Sequence, residues 1–197
     1  MKHRVFVGGD FDKIGKWQFD YLLKHMAMVE SDRFLDIACG SLRLGKFMIP
    51  FLDKGNYYGL EAEQEILDAG IKVELGTTDR EPKFSVNRMF NFDFCRRYDI
   101  AWSNSLLSHL TITDISLLFN NLRSCTSNSS RFYFTYFDRG VSGKLHYVNP
   151  DQSHARKDFY YSQQEILSLL SDAGWYGELM TEQSHPRKQQ IVCARLK

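Results

Sequence analysis

The run Phe34-Leu35-Asp36-Ile37-Ala38-Cys39-Gly40-Ser41-Leu42-Arg43-Leu44-Gly45 constrains this chain more than any other stretch. It reads as a short apolar strand that stops at small residues and opens into a helix. A turn of that kind, at the end of a first strand, is where an α/β fold lets a ligand approach the backbone. A second short strand, Tyr57-Tyr58-Gly59-Leu60, ends in the acid Glu61. A carboxylate at that point accepts hydrogen bonds from both hydroxyls of a ribose, so turn and acid together read as a nucleoside site. The nicotinamide fingerprint G-x-G-x-x-G requires close backbone approach to a pyrophosphate at a helix N-terminus. Only Gly40 is present in the crowded part of this turn, which leaves a pyrophosphate little room. A dinucleotide site remains the competing reading of these residues.

The rest of the chain alternates strand-like and helix-like segments, which points to a doubly wound, mostly parallel α/β sheet in a single domain spanning 1–197. Asp12 to His25 places Ile14, Trp17, Tyr21 and Leu22 on one helical face. A helix after the first strand is broken near Pro50, and Glu63 to Leu75 is a further helix with Gly70 as its weak spot. Lys83 to Asn87 and Tyr98 to Ser103 are the third and fourth strands, and Arg131 to Phe137 is the fifth. Ile115, Leu118, Phe119 and Leu122 recur at helical spacing, with Thr113 as the expected N-cap. Ser162-Gln163-Gln164-Glu165 is a capping box, and Gly174 stops the helix it opens. Trp175 to Met180 and Gln189 to Leu196 form a closing antiparallel pair joined by a turn at Pro186.

Composition narrows the function classes. With 197 residues, 43% of them hydrophobic, the chain can bury one full core. A formal net charge of +1 provides no global field for attracting nucleic acid or an anionic membrane, so neither is an expected partner. The apolar run near the start breaks at Gly8-Gly9, too early for a signal segment, and no later run reaches membrane-spanning length. Cys39, Cys95, Cys125 and Cys193 lack C-x-x-C spacing and read as reduced residues of a cytoplasmic protein. No His, Asp, Glu or Cys spacing suits a metal site, so none is expected.

The Asp36-to-Leu42 turn followed by Glu61 resembles the class I S-adenosylmethionine-dependent methyltransferases. Their first motif usually runs acid-x-Gly-x-Gly-x-Gly; Asp36 and Gly40 match it, while Ala38 and Leu42 stand where the family often has glycine. The resemblance implies S-adenosylmethionine as cofactor and a Rossmann-like sheet ending in an antiparallel strand. It implies that Asp36, Ala38, Gly40 and Ser41 line the methionine side and that Glu61 and Ala62 hold the ribose. The resemblance further implies that Asp93 accepts from the adenine amine, with Phe92 or Phe94 packed on the ring, and that Ser103 and Asn104 flank the methionine portion. Val7-Gly8-Gly9 through Gly15, Trp17 and Gln18, the run Leu35 to Arg43, and His185-Pro186-Arg187 with Gln189 together resemble a group of small bacterial methyltransferases. Several of those belong to surface-polysaccharide or secondary-metabolite pathways. That implies O-methylation of a sugar, sugar phosphate or glycan precursor, a small-molecule acceptor. A non-catalytic cofactor-binding module and a methyltransferase of nucleic acid or protein remain alternatives. Ser103-Asn104-Ser105-Leu106 lacks the Asn-Pro-Pro-aromatic motif of DNA amine methyltransferases.

An oxygen acceptor of high pKa needs a base, and histidine is the side chain suited to that near neutral pH. His109, just past the fourth strand, is the first candidate, with His154 and His185 behind it. Residues 139–161 are too many for a simple connection and carry a basic and aromatic mixture, so they are expected to cover the acceptor side. Residues 1–30 are expected to form a helical lid over the cofactor.

Overall fold

The computed structural model describes residues 2–7, 9–142, 153, 158–181 and 185–197. His154 and most of the 139–161 segment therefore lie outside the described residues. The elements in chain order begin with helices α1 (Lys2–Phe6) and α2 (Phe11–His25), then β1 (Phe34–Ile37), α3 (Gly45–Phe51), β2 (Tyr57–Glu61) and α4 (Gln64–Gly70). There follow β3 (Lys83–Val86), β4 (Ile100–Ser103), α5 (Ile112–Leu122), β5 (Arg131–Asp138), α6 (Arg139–Ser142), β6 (Tyr160–Tyr161), α7 (Gln163–Asp172), β7 (Trp175–Leu179) and β8 (Gln190–Leu196). The main sheet runs β3-β2-β1-β4-β5-β8-β7, with β6 added beside the end of β5. Strands β3 to β5 are mutually parallel, and β8 alone runs against them, pairing antiparallel with both β5 and β7.

Alternation along the strands divides the core into two layers. Leu35, Ile37, Ala101, Phe132 and Phe134 face α5 and α7, where Ile115, Leu118, Phe119, Ile166 and Leu170 are buried. Phe34, Ile100, Trp102 and Tyr133 face α2 and α3, which contribute Tyr21, Leu22, Met48 and Ile49. Trp102 and Phe34 are fully buried, each contributing on the order of 1.5–3 kcal/mol by apolar burial.

Three local expectations change. The N-cap of α5 is Thr111, not Thr113: Thr111 has extended backbone and accepts from the Asp114 N–H, while Thr113 lies inside the first turn. The helix expected over Glu63 to Leu75 is α4 followed by a π-helical turn over Ile71–Leu75. Gly70 is not a weak spot but a contact point: a Cβ there would lie 2.5 Å from the Ser41 carbonyl carbon, so only glycine lets α4 press on the turn after β1. The Ser162–Glu165 capping box is formed as expected.

Candidate active site

The chain leaves β1 through a turn in which Ala38, Gly40 and Leu42 have φ of 63°, 58° and 62°. Left-handed backbone costs an L-residue about 1–2 kcal/mol, which gives a physical reason for glycine at these alternate positions of the resembled motif. Here Leu42 has a side chain with no exposure and belongs to the same buried cluster as Tyr57, Met48 and Leu67. Cys39 N–H donates to the Leu60 carbonyl at 3.0 Å, tying the turn to β2.

Glu61, the last residue of β2, faces this turn. Its Oε2 accepts from the Gly40 N–H at 2.8 Å, and its Oε1 accepts from Ala62 N–H at 2.8 Å and Glu63 N–H at 3.2 Å. Burial raises its pKa, and these backbone donors oppose that rise. A carboxylate offers about four lone-pair sites; three donors fix its orientation, and Ala62 beside it is exposed. This arrangement spans the ends of β1 and β2, on one side of the β1–β4 boundary where the sheet order reverses and α/β folds open a crevice.

Not every residue expected at the cofactor reaches the rim. Asp36 is 4% exposed and accepts from the Tyr57 hydroxyl at 2.7 Å, beneath the turn. Burial pushes it up to about 7, against the opposing Tyr57 hydrogen bond. Phe92 is a core residue at 2% exposure, which removes it as a ring to stack on adenine. Phe94 is half-buried, 6.3 Å from the Tyr58 ring, and is the aromatic of the pair with surface to offer. Asp93 is exposed, its N–H donating to Asn91 Oδ1 at 2.8 Å and its Oδ2 accepting from Asn91 Nδ2 at 3.0 Å.

The N-terminal helices fold onto the same turn. Ser41 Oγ donates to the His3 carbonyl at 3.4 Å, and Arg43 donates to the Val7 carbonyl at 3.2 Å. Val7 Cγ1 lies 3.0 Å from the position of a Cβ on Gly40. Arg4 forks onto Glu74 with two bonds of 2.6 Å, and His3 adds a third at 2.8 Å. Burial opposes ionisation of Glu74, but Arg4 and His3 prevail and draw it down to about 2.

Beyond β4 the rim is built from side chains. Gln18 of α2 is 2% exposed and accepts from Trp102 Nε1 at 2.9 Å. Ser103 is fully buried, and Asn104 Oδ1 meets His185 Nε2 at 2.9 Å. Arg187 N–H donates to His185 Nδ1 at 3.0 Å, so the ring proton belongs on Nε2, donating to Asn104. Burial, with Arg187 and Arg43 nearby, pushes His185 down to about 3. Both ring nitrogens are engaged, Nε2 with Asn104 and Nδ1 with the Arg187 N–H. His109 lies half-buried on the single 3₁₀ turn Leu107–His109 that follows β4. Ser105, expected from the sequence beside Ser103 and Asn104, and Thr135, which was not anticipated, complete this side through Gln189. Thr135 is the one small hydroxylated residue in the aromatic run Phe132–Phe137, a signal available in the sequence.

No protein-family model matches the chain. Its fold matches solved structures over nearly its whole length. A protein from Pyrococcus horikoshii OT3 aligns with TM-score 0.73 and 14% identity, covering 100% of this chain and 95% of the other. An S-adenosylmethionine-dependent methyltransferase from Clostridium acetobutylicum ATCC 824 gives 0.68 at 12% identity, covering 95% and 92%. The magnesium protoporphyrin IX methyltransferase of Synechocystis PCC 6803, solved with bound S-adenosylhomocysteine, gives 0.67 at 14% identity, covering 98% and 92%. Strand order, the turn after β1 and the acid ending β2 agree with this likeness: the chain has the class I S-adenosylmethionine-dependent methyltransferase fold.

Proposed function

We propose that the protein is an S-adenosylmethionine-dependent methyltransferase acting on a polar small molecule, by O-methylation of a sugar, sugar phosphate or related glycan precursor. The observation that carries the cofactor is Glu61, whose carboxylate is oriented by backbone donors at the carboxyl ends of β1 and β2. A ribose hydroxyl engages the carboxylate site that those three donors leave, with adenine toward Phe94 and Asp93 and the methionine portion along Gly40, Ser41 and the Ser103-Asn104 turn. The N-terminal helices close over it as a lid. Structures of this fold serve acceptors as different as magnesium protoporphyrin IX and glycopeptides, so the acceptor follows from the site and not from the fold.

Transfer of a methyl group from a sulfonium is an in-line displacement, in which the acceptor oxygen forms the new bond as the carbon–sulfur bond breaks. Alignment alone supplies several kcal/mol, and a base removes the hydroxyl proton. His109 takes that role in this reading, since it stands on the turn that directly follows β4. Calorimetry with S-adenosylmethionine and S-adenosylhomocysteine tests the cofactor. Glu61→Ala is expected to lose roughly 1.5–3 kcal/mol of affinity, the range for hydrogen bonds to a charged group. Unchanged affinity in that variant, or tight binding of a nicotinamide dinucleotide, overturns the reading.

A further inference from the structure

Helix α1 is docked chiefly by charge. It has five residues, too few to be stable as an isolated helix, and its Val5 is 80% exposed. Its anchor is Glu74, on the π-helical turn Ile71–Leu75 that follows α4. The Glu74 side chain is 2% exposed, although Lys72 and Val73 beside it are exposed. Arg4 Nε donates to Glu74 Oε1 and Arg4 Nη2 to Oε2, each at 2.6 Å, and His3 Nε2 meets Oε1 at 2.8 Å. Lys46 of α3 approaches Oε2 at 3.5 Å. Asp12 of α2 reaches both cations, Arg4 at 3.1 Å and Lys46 at 2.6 Å. Arg4 also lies over the Phe11 ring, 4.8 Å from its centre.

Held in this way, α1 and the residue after it lie against three residues of the turn that follows β1. The His3 carbonyl accepts from Ser41 Oγ at 3.4 Å, and the Val7 carbonyl accepts from Arg43 at 3.2 Å. Val7 Cγ1 stands 3.0 Å from where a Cβ on Gly40 would be. A ligand that approaches the Gly40 backbone therefore meets Val7. Gly9, in the left-handed region at φ 69°, lies between α1 and α2. Helix α2 is fixed to the sheet, with Leu22 fully buried and Gln18 accepting from the Trp102 indole. Lifting α1 alone breaks the Glu74 cluster and leaves that packing intact. Burying charges costs much of what their attraction returns, and lifting α1 rehydrates Glu74, Arg4 and Lys46 together. Such a clasp closes only at short range and opens without unfolding the core.

We propose that Glu74 is the latch that holds α1 against the turn after β1, and that release of α1 from Glu74 admits and frees the methyl donor. Glu74 is a positioning residue: it acts on the cofactor site through Arg4 and His3, which set Val7 over Gly40. It stands on a π-helical turn, a form found frequently at functional sites. The inference rests on the methyltransferase reading and adds to it the route by which the cofactor enters and leaves.

Two rates test it on the whole protein. Trypsin cleaves after Arg4 when that side chain is free of Glu74, so cleavage there, read by mass spectrometry against the other sites of the same digest, reports the open form. Dissociation of tritiated S-adenosylhomocysteine, chased with unlabelled ligand, reports cofactor exit. In wild type, S-adenosylhomocysteine is expected to slow cleavage after Arg4 at least several-fold. Glu74→Gln should speed that cleavage in the free protein, and should speed dissociation at least several-fold. Arg4→Gln, a change on the half-buried outer helix that does not touch the core, should speed dissociation equally, and the double variant should be no faster than either single one. Arg4→Lys, which keeps the charge, should fall between. Thermal melting shows whether each variant is folded. A lowered melting temperature with dissociation at the wild-type rate makes Glu74 merely structural and overturns the proposal, as does cleavage after Arg4 that ignores bound S-adenosylhomocysteine. If wild type fails to bind S-adenosylhomocysteine while Glu74→Gln still speeds cleavage, the latch stands and the methyltransferase reading falls.

Discussion

The two halves of the sheet's carboxyl rim are held together in different ways. On the β1–β2 side, main-chain N–H groups of Gly40, Ala62 and Glu63 converge on one carboxylate. Left-handed residues and the close approach of Gly70 shape the turn around it. On the β4–β8 side the groups are side chains, Gln18 from α2, Asn104 and Ser105 from the turn after β4, Thr135 from β5, and His185 and Gln189 from the segment before β8. The first half is rigid backbone, so its substitutions should register in stability and cofactor affinity. The second is a side-chain assembly, so its substitutions should register in acceptor binding and turnover. Backbone suits a cofactor whose shape is constant, whereas side chains can be exchanged as the acceptor changes.

The largest expected effect belongs to the second half. General-base contributions are about 10²–10⁴-fold in rate, so His109→Ala should lower kcat at least about a hundredfold with little change in S-adenosylhomocysteine affinity. His185→Ala should instead disturb acceptor KM through Asn104 and leave the acid limb of the pH–rate profile in place. An enzyme whose acid limb vanishes with His185 reverses these assignments.

In the first half, Gly70→Ala forces a Cβ against the Ser41 backbone. Overpacking of this kind costs about 1–3 kcal/mol, and the melting temperature should fall along with cofactor affinity. Affinity unchanged at lowered stability would show that α4 does not shape the turn.

Asp36 ties the same half to pH. Its folded pKa of about 7 lies above the ordinary carboxylate value of about 3.9. The folded state therefore binds the extra proton, and the associated stability is fully present below about pH 4 and is lost as pH rises toward about 7. Asp36→Asn keeps an acceptor for Tyr57 and removes that slope. Denaturant titrations at pH 5 and 7.5 should show wild type losing more stability over this interval than the variant; parallel losses would place the pH dependence elsewhere.

The smallest effect is expected at Ala38. Glycine relieves about 1–2 kcal/mol of left-handed strain but costs about 0.5–1 kcal/mol in backbone entropy. Ala38→Gly should thus raise stability by a few tenths of a kcal/mol to about 1 kcal/mol, and a loss would mean that the alanine methyl is packed usefully.

Local signals were sufficient for much of this molecule. The apolar run into Gly40, the acid after Leu60, the Ser162–Glu165 box and the stripe from Ile115 to Leu122 each express a periodicity or cap set within a few residues. Where two local solutions competed, tertiary packing chose: Thr111 over Thr113 as cap, and a π-helical turn after Gly70 where the sequence reads as one helix. Phe92 and Phe94 are indistinguishable by type, and only the position of each against the sheet separates a core ring from a half-exposed one. The β4–β8 side was the least legible, because its bonds span the chain. Gln18 and Trp102 are 84 residues apart, as are Ser105 and Gln189, and Asn104 and His185 are separated by 81. By itself the sequence determined the turn and its acid, since these depend on neighbours. Which histidine is neutral depends on burial and on partners that only the folded sheet brings within hydrogen-bonding distance.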